Sequence, residues 1–202
     1  MYNLTVSEEW NSIHPGDLWA YNKLQLSQTL GYTCGPAGLE VPKSGFYIVR
    51  PVVNFMGMGR YARIEFIKRD TEYLHPGEFW CEIFEGEHLS VDFYRGKNNL
   101  VALGKRDDEN KFYRWKSWEK VERDIEFPEV LNDLRERYEW INCEFIGGRL
   151  IEVQFRRNPD FRFGNSIAIP VWKDEPEPQM PEGVSFRYIE ERDYKRRGFI
   201  ID

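Results

Sequence analysis

The sequence predicts an α+β fold built on antiparallel β-sheets with few helices. Short β-rich runs recur along the chain from residue 45 to residue 155, and glycine-containing turns separate several of them. Apolar residues instead follow helical spacing in two segments, residues 17–31 and 128–138. The chain has 202 residues, 41% hydrophobic and 31% charged, so it is long enough to bury a core and is far from the composition of disordered proteins.

The two helical segments have recognisable ends. In residues 17–31, Leu18 and Tyr21 begin an apolar face, and Gly31 is a common type of helix stop. Residues 128–138 begin with proline, carry acidic residues early and place their apolar residues on one face. We expect this second segment to form a helix that packs on a sheet.

The strand-like runs are rich in β-branched and aromatic residues. In the first run Arg50 stands where its neighbours are apolar, and Pro51 limits regular pairing. The turn RGKN at residues 95–98 joins two of the runs as a hairpin. The predicted strands lie within residues 45–54, 63–68, 78–86, 88–94 and 99–104.

A further hairpin, INCEFIGGRLIEVQFR at residues 141–156, combines an apolar face with a polar one. A regular two-residue turn at the glycine pair 147–148 would place the apolar sets of the two strands on opposite faces. A three-residue loop or an equivalent bulge instead pairs Glu144 with Glu152 and Asn142 with Gln154, and leaves the other face apolar. We predict this second register.

Two carboxylates directly opposed on a sheet, about 5 Å apart, repel each other unless a cation lies between them. Arg156 lies on the same predicted face and could compensate them as a structural ion pair. A divalent cation is the alternative, because carboxylate oxygens, an amide oxygen and water are ligands for Mg²⁺ bound together with a phosphate. The hairpin alone leaves both interpretations open.

Charge and targeting signals restrict the classes of partner. The formal charge of −6 and the isoelectric point near 5.3 argue against nucleic acid as the main partner. The N-terminus lacks the layout of a signal peptide and no stretch reaches the length of a membrane span, so we expect a cytoplasmic protein without membrane contact. Cys34, Cys81 and Cys143 are widely spaced, which predicts buried thiols rather than disulfides or a zinc site.

Taken in order, the segments resemble the ATP-grasp superfamily over residues 17–162. NKL at 22–24 is similar to the start of its first lysine-bearing helix, and YIVRP at 47–51 followed by NFMGMGR resembles its basic strand and phosphate loop. The segment FWCEIFEGEHLSVDF at 79–93 looks like its inter-lobe hinge, and the hairpin at 141–156 is similar to its metal-binding hairpin. The resemblance implies a two-lobed fold that grips ATP between two α+β lobes.

The resemblance also implies a nucleotide-binding role for residues from several segments. Lys23 and Arg50 would contact the ATP phosphates, Glu82 and Phe84 would lie at the adenine, and His88 would lie near the ribose. The glycine-bearing loop can approach phosphate closely through its backbone, although many ordinary turns have such a pair of glycines. The candidate residues of this loop are Gly57, Gly59 and Arg60.

By the same resemblance, Glu144, Glu152 and Gln154 would hold Mg²⁺. Arg50 and Arg156 would be the catalytic residues, because positive charge near the transferred phosphoryl group stabilises the developing anion. The chain departs from the family where Arg50 replaces the usual lysine and where Gln154 replaces the usual asparagine. The usual N-terminal domain would also be lacking, since about sixteen residues precede the first predicted helix.

The predicted domain organisation has three parts. Residues 1–172 would form the ATP-grasp-like domain, with the lobe boundary near residues 80–86. The Pro-rich, acidic stretch 173–183 would be an exposed connector. Residues 184–202 would fold back on the domain as one more strand or a short helix.

Three functions are consistent with the sequence. The first is an ATP-dependent carboxylate–amine ligase that uses Mg²⁺ and an acyl-phosphate, with carboxylate and amine substrates that are free or attached to a macromolecule. The second is a nucleotide-binding or regulatory protein that has lost the chemistry. The third is a non-enzymatic α+β interaction module, in which the charged hairpin is a surface ion-pair cluster. A protein partner or a homo-oligomer stays open in each case.

Overall fold

The computed structural model of the chain describes most of its residues. The described residues are 6–53, 61–106, 112, 114–176, 180, 182–188 and 196–202.

Helices are short and strands dominate in this described part. The α-helices are α1 (Val6–Ser12), α2 (Leu18–Tyr21) and α3 (Lys23–Thr29), and short 3-10 helices lie at Pro15–Asp17, Glu129–Leu134 and Pro159–Phe161. The strands are β1 (Cys34–Pro36), β2 (Gly45–Pro51), β3 (Arg63–Ile67), β4 (Glu78–Cys81), β5 (His88–Tyr94), β6 (Lys97–Arg106), β7 (Trp115–Lys120), β8 (Trp140–Ile146), β9 (Arg149–Gln154), β10 (Ile167–Trp172), β11 (Ser185–Tyr188) and β12 (Arg196–Ile201).

The strands of the described residues form two sheets. The smaller sheet has the order β1-β4-β2-β3, and the larger has the order β11-β12-β10-β7-β6-β5-β8-β9. Every strand pair in both sheets is antiparallel. The prediction of an α+β fold with antiparallel sheets and few helices is therefore confirmed.

The hairpin of β8 and β9 has the predicted register. Glu144 pairs with Glu152 and Asn142 pairs with Gln154. The glycine turn 147–148 is also tight, because Ile146 pairs with Arg149, and the register shifts between Glu144 and Phe145. A bulge in β9 thus reconciles a two-residue turn with a common polar face.

The helix predicted over residues 17–31 is divided into α2 and α3. Asn22 has an extended backbone, and its side-chain oxygen accepts a hydrogen bond from the Gln25 amide at 3.0 Å. Asparagine favours such an N-cap over the interior of a helix, so it starts a new helix at Lys23. Gly31 has a φ of 71° and follows the end of α3, as predicted.

The second predicted helix is shorter than expected. Residues 129–134 form a 3-10 helix rather than an α-helix extending to 138. Asn132 and Asp133 lie in its middle, and both residue types have weak helix propensity. Leu131 and Leu134 are nevertheless fully enclosed, so the segment packs on the sheet as expected.

The main core lies between one face of the larger sheet and the helices. Val91, Cys143 and Val153 of the sheet and Leu26 of α3 belong to the same buried cluster. These sheet residues alternate with Asp92, Asn142 and Glu152 along their strands, so the polar residues lie on the opposite face. The three cysteines are free thiols, and Cys81 and Cys143 are buried as predicted, whereas Cys34 is only partly buried. No helix in the described part of the chain is both long and apolar enough to cross a bilayer.

Candidate functional site

The polar face predicted for the β8–β9 hairpin extends onto the neighbouring strand of the larger sheet. Strand β5 lies beside β8, with Ser90 opposite Glu144 and Asp92 opposite Asn142. Because directly paired residues point to the same side of a sheet, His88, Ser90 and Asp92 share the face of the hairpin carboxylates. Three neighbouring strands therefore present polar side chains on one face.

Glu144 contacts His88 across this face. The Nε2 atom of His88 lies 2.9 Å from Oε2 of Glu144, and the side chain of His88 is 9% exposed whereas that of Glu144 is 24% exposed. Trp115 and Trp118 contact the imidazole edge-on, with centroid distances of 4.7 and 5.5 Å. The tryptophans thus pack against the ring, whereas the Glu144 side chain stays partly exposed.

Glu152 faces a buried lysine. The Nζ atom of Lys23 is 3.5 Å from Oε2 of Glu152, and Gln154 donates from Nε2 to Oε1 of Glu152 at 2.9 Å. Burial lowers the pKa of Lys23, and the neighbouring Glu152 carboxylate acts in the opposite direction. Lys23 is the first residue of α3, and its amide donates to the carbonyl of Val52 at 2.9 Å, which ties the helix to the end of β2.

Arg50 brings a second cation to the same place from the smaller sheet. It is 8% exposed, and its Nη2 atom donates to the carbonyl of Ile151 in β9 at 3.1 Å. Its Nε atom is enclosed and has no hydrogen-bond partner among the described residues. Burial lowers the pKa of this guanidinium, whereas Glu152 and Glu144 both act to raise it. Two buried cations and two carboxylates therefore meet between the sheets.

Arg156 forms an ion pair with Glu9, a residue that the sequence analysis did not identify. Its Nε atom donates to Oε2 of Glu9 at 2.8 Å, and the other oxygen of Glu9 accepts from the amide of Phe155 at 2.6 Å. Glu9 lies in α1 and is fully enclosed. The structural ion pair of Arg156 is thus made with Glu9 rather than with the hairpin carboxylates.

The burial of Glu9 predicts how the stability of the folded protein depends on pH. Burial raises the pKa of its carboxyl group, although Arg156 acts in the opposite direction. The folded protein therefore binds more protons than the unfolded chain between the two pKa values, so this contribution to stability is present below the unfolded pKa and is lost as the pH rises through the folded pKa. We expect the stability of wild type relative to Glu9→Gln to fall with rising pH, by about 1.4 kcal/mol for each unit of pKa shift.

Urea unfolding of both proteins between pH 4 and 8 measures this difference. The exposed Glu126 supplies the matched control Glu126→Gln, for which the difference from wild type should stay constant. A constant difference for Glu9→Gln as well would contradict the assignment.

A buried hydrogen-bond network continues the polar face toward the far end of β8. Asn142 donates to Ser90 Oγ and to Asp92 Oδ1, both at 2.9 Å. Asn158 donates its amide to Asp92 at 2.8 Å and its side chain to Ser90 at 3.0 Å. Burial raises the pKa of Asp92 despite these hydrogen bonds. Alternation along β5 could have indicated Ser90 and Asp92, but Asn158 lies in a loop that no pattern connects to them.

The predicted hinge residues lie between β4 and β5, close to the turn of the β8–β9 hairpin. Glu82 follows β4, and its Oε1 atom accepts from the amide of Thr33 at 2.7 Å. Phe84 contacts Tyr32 edge-on with a centroid distance of 4.7 Å, and the guanidinium of Arg149 lies 5.2 Å from the Phe84 ring. The strand predicted over residues 78–86 ends at Cys81, so Glu82 and Phe84 lie in the connection between the two sheets.

The glycine turn of the hairpin supports this connection. A Cβ atom on Gly147 would lie 2.0 Å from the carbonyl oxygen of Glu85, and Gly147 has a φ of 55°. The amide of Gly147 donates to the carbonyl of Glu87 at 3.0 Å. Only glycine permits this approach, so the tip of β8–β9 fixes the backbone between the sheets.

The remaining predicted site residues are Gly57, Gly59 and Arg60, which lie outside the described residues. Within the described part, no group of three or more His, Cys, Asp or Glu side chains is arranged to hold a metal ion. The donors that face each other are two carboxylates with one amide, Glu144, Glu152 and Gln154. Such a set suits a hard cation that takes its other oxygen ligands from water and phosphate.

Comparisons with known proteins identify the fold. No family profile matches the chain, and no curated protein matches it significantly. A crystal structure described as that of a candidate ATP-grasp superfamily protein from Archaeoglobus fulgidus superposes with a TM-score of 0.52 at 17% identity, over 92% of this chain and 64% of that one. Two structures of the ATP-grasp ligase PsnB, with a minimal precursor alone or with the precursor, Mg and ADP, give TM-scores of 0.41 at 13% and 14% identity, over 74% of this chain and 55% of theirs.

The chain thus spans less than two thirds of the length of these structures. The A. fulgidus structure aligns with almost the whole chain, and at 17% identity this likeness defines a fold rather than an activity. Together with the two antiparallel sheets and few helices, it shows that the chain shares the α+β, ATP-grasp-like fold of that structure.

Proposed function

We propose that this protein is an ATP-dependent carboxylate–amine ligase that uses Mg²⁺. One observation carries the proposal: Lys23 and Arg50, two buried cations from different elements, converge on the carboxylates Glu144 and Glu152 between the two sheets. Burying cations is costly, and the Nε atom of Arg50 lacks a partner among the described residues. An anionic ligand such as a polyphosphate would compensate the positive charges of Lys23 and Arg50.

Each group has a defined part in the proposed binding of the nucleotide. Lys23 and Arg50 contact the phosphates, to which we also assign Gly57, Gly59 and Arg60 outside the described residues. Glu82 and Phe84 lie at the adenine, and His88 lies near the ribose, where it also orients Glu144. The resulting lobe boundary lies near residues 80–86.

The carboxylates and the amide of Glu144, Glu152 and Gln154 fit Mg²⁺, which would neutralise charge on the phosphates. Gln154 donates its amide nitrogen to Glu152 in the structure, so its oxygen is the atom available to a cation. Arg50 and Arg156 place positive charge beside the transferred phosphoryl group.

The chemistry then proceeds in two displacements. A substrate carboxylate oxygen bonds to the γ-phosphorus as the bond to the β–γ bridging oxygen breaks, which gives an acyl-phosphate and ADP. The acceptor amine then bonds to the acyl carbon, phosphate leaves, and the nitrogen releases its extra proton. The protein mainly positions the groups and stabilises charge, as in other phosphoryl transfers.

Calorimetric titration with ATP, with and without Mg²⁺, tests the nucleotide site. We expect binding that strengthens with Mg²⁺, and ADP release that requires both a carboxylate and an amine. Absence of heat and of any change in melting temperature at millimolar ATP would contradict the proposal and favour an interaction module. Mg²⁺-dependent binding without ADP release for any substrate pair would favour a regulatory nucleotide-binding protein.

A further inference from the structure

Trp140 and Arg157 form a stacked pair at the far end of the polar face. The guanidinium of Arg157 lies over the indole ring, 4.5 Å from its centroid, and both residues are half-buried. Tyr94 also packs against this indole, at a centroid distance of 4.8 Å. The indole of Trp140 is therefore held in place by Tyr94, at the end of β5, and by Arg157, just after β9.

Each residue of this pair has one nitrogen atom without a hydrogen-bond partner in the described part of the chain. The Nε1 atom of Trp140 and the Nε atom of Arg157 are enclosed, and neither has a hydrogen-bond partner among the described residues. In the same part of the chain, the side chain of Arg157 makes no ion pair, whereas Arg156 beside it pairs with Glu9. A half-buried cation without a counter-ion is costly unless a ligand supplies one.

The carboxyl group of Asp92 lies close enough to Arg157 for the two charges to attract each other. Its Oδ1 atom is already used by Asn142 and Asn158, and the two side chains do not form an ion pair. Burial raises the pKa of Asp92, which weakens its competition for the guanidinium. Arg157 thus keeps capacity for one further anion.

The position of the pair relates it to the proposed reaction centre. Trp140, Asn142 and Glu144 follow one another at every second position of β8, so they line the same face. Trp140 lies four positions before Glu144 in the strand, which corresponds to roughly 13 Å. A substrate group bound at Arg157 would therefore lie on the same surface as the phosphates. One substrate molecule could then place its reacting group near the phosphates and a second group at Arg157.

We propose that Trp140 and Arg157 form a subsite for a carboxylate group of the substrate that does not react. This inference rests on the proposed ligase function, for which it names the substrate class as amino-acid-like or peptide-like molecules with a spectator carboxylate. Because the Nε atom of Arg157 is enclosed, the two Nη groups are the edge that can make two parallel hydrogen bonds to a carboxylate while the guanidinium stays stacked on Trp140. The one guanidinium at this subsite balances a single negative charge, so a carboxylate monoanion suits it better than a phosphate dianion.

The indole N–H resonance of Trp140, assigned with Trp140→Phe, reports on this subsite by NMR. The probes are acetate and L-glutamate, with sodium chloride at equal ionic strength as the reference and inorganic phosphate as the competing anion. We expect a saturable shift with the carboxylates and at least about a tenfold weaker response in Arg157→Gln. Arg162→Gln is the matched control, because Arg162 is exposed and stacks on Phe163, and it should respond like wild type.

The outcomes separate this subsite from the nucleotide site. Unchanged Mg-ATP binding in Arg157→Gln together with the lost carboxylate response supports the subsite. A saturable carboxylate shift in a protein that does not bind ATP would support the subsite and contradict the ligase function. No saturable shift, an equal shift in Arg157→Gln, or a shift caused by phosphate alone would overturn the carboxylate assignment.

Discussion

Replacing Glu152 by glutamine is expected to weaken Mg-ATP binding by about tenfold or more, or about 1.4 kcal/mol, and to remove most of the effect of Mg²⁺. Glutamine keeps the size of the side chain but removes the negative charge that faces Lys23 and, in the proposed site, the cation. Calorimetric titration of ATP at several Mg²⁺ concentrations measures the effect. Glu122→Gln, at an exposed position, is the matched control and should bind like wild type.

The same substitution tests the buried ion pair. Removing one partner of a buried pair typically costs about 3–5 kcal/mol, because the remaining charge is left uncompensated. Lys23 can release its proton, since burial already lowers its pKa, so we expect a loss at the lower end of that range. Adding Lys23→Met to Glu152→Gln should recover part of the stability in urea unfolding. Equal Mg²⁺ dependence in wild type and Glu152→Gln would show that Glu152 does not hold the metal.

Gly147→Ala is expected to destabilise the protein by about 2–4 kcal/mol and to weaken nucleotide binding. The new Cβ atom would meet the carbonyl oxygen of Glu85 at 2.0 Å, and the residue has a positive φ that only glycine adopts without strain. The backbone between the sheets must then move, and with it Glu82 and Phe84. Thermal or urea unfolding and ATP titration measure the two effects.

Gly148→Ala is a close control for this prediction. Gly148 has a φ of 77°, but an added Cβ atom would find no heavy atom within 4 Å. The strain of the turn alone should cost about 1 kcal/mol and leave nucleotide binding unchanged. If the two variants lose equal stability and bind ATP equally, the contact between the turn and the connection of the sheets has no functional role.

The register of the β8–β9 hairpin could be predicted because it depends on local information. The alternation of apolar and polar residues on each strand allows one register that buries the apolar faces together. The partner of Arg156 could not be predicted in this way. Glu9 is 147 residues away in the chain, and its burial follows from how α1 packs against the end of β9.

Strands β7 and β10 illustrate a different difficulty. In WKSWEK of β7 the enclosed residues include the neighbours Ser117 and Trp118, so burial does not alternate. In β10 the sequence IAIPVW contains Pro170, which argues against a paired strand. Among the described residues, β7 pairs with β10 only at Ile167 and Ala168, so Pro170, which lacks an N–H donor, is paired on the β12 side alone. This arrangement depends on tertiary packing. The helix over 17–31 shows the converse case, since its start and stop residues are local and its division at Asn22 is a capping effect.

The extra residue in β9, Ile151, has a second role besides placing the polar residues of both strands on one face. A strand one residue shorter would pair Glu144 with Glu152 without any bulge. What the longer strand adds is the Ile151 carbonyl that accepts the hydrogen bond from Arg50 in the other sheet. Because this acceptor belongs to the backbone, no side-chain replacement at position 151 can remove it. The acceptor of this link between the two sheets is therefore encoded in the length of β9, and on the β9 side only a deletion would remove it.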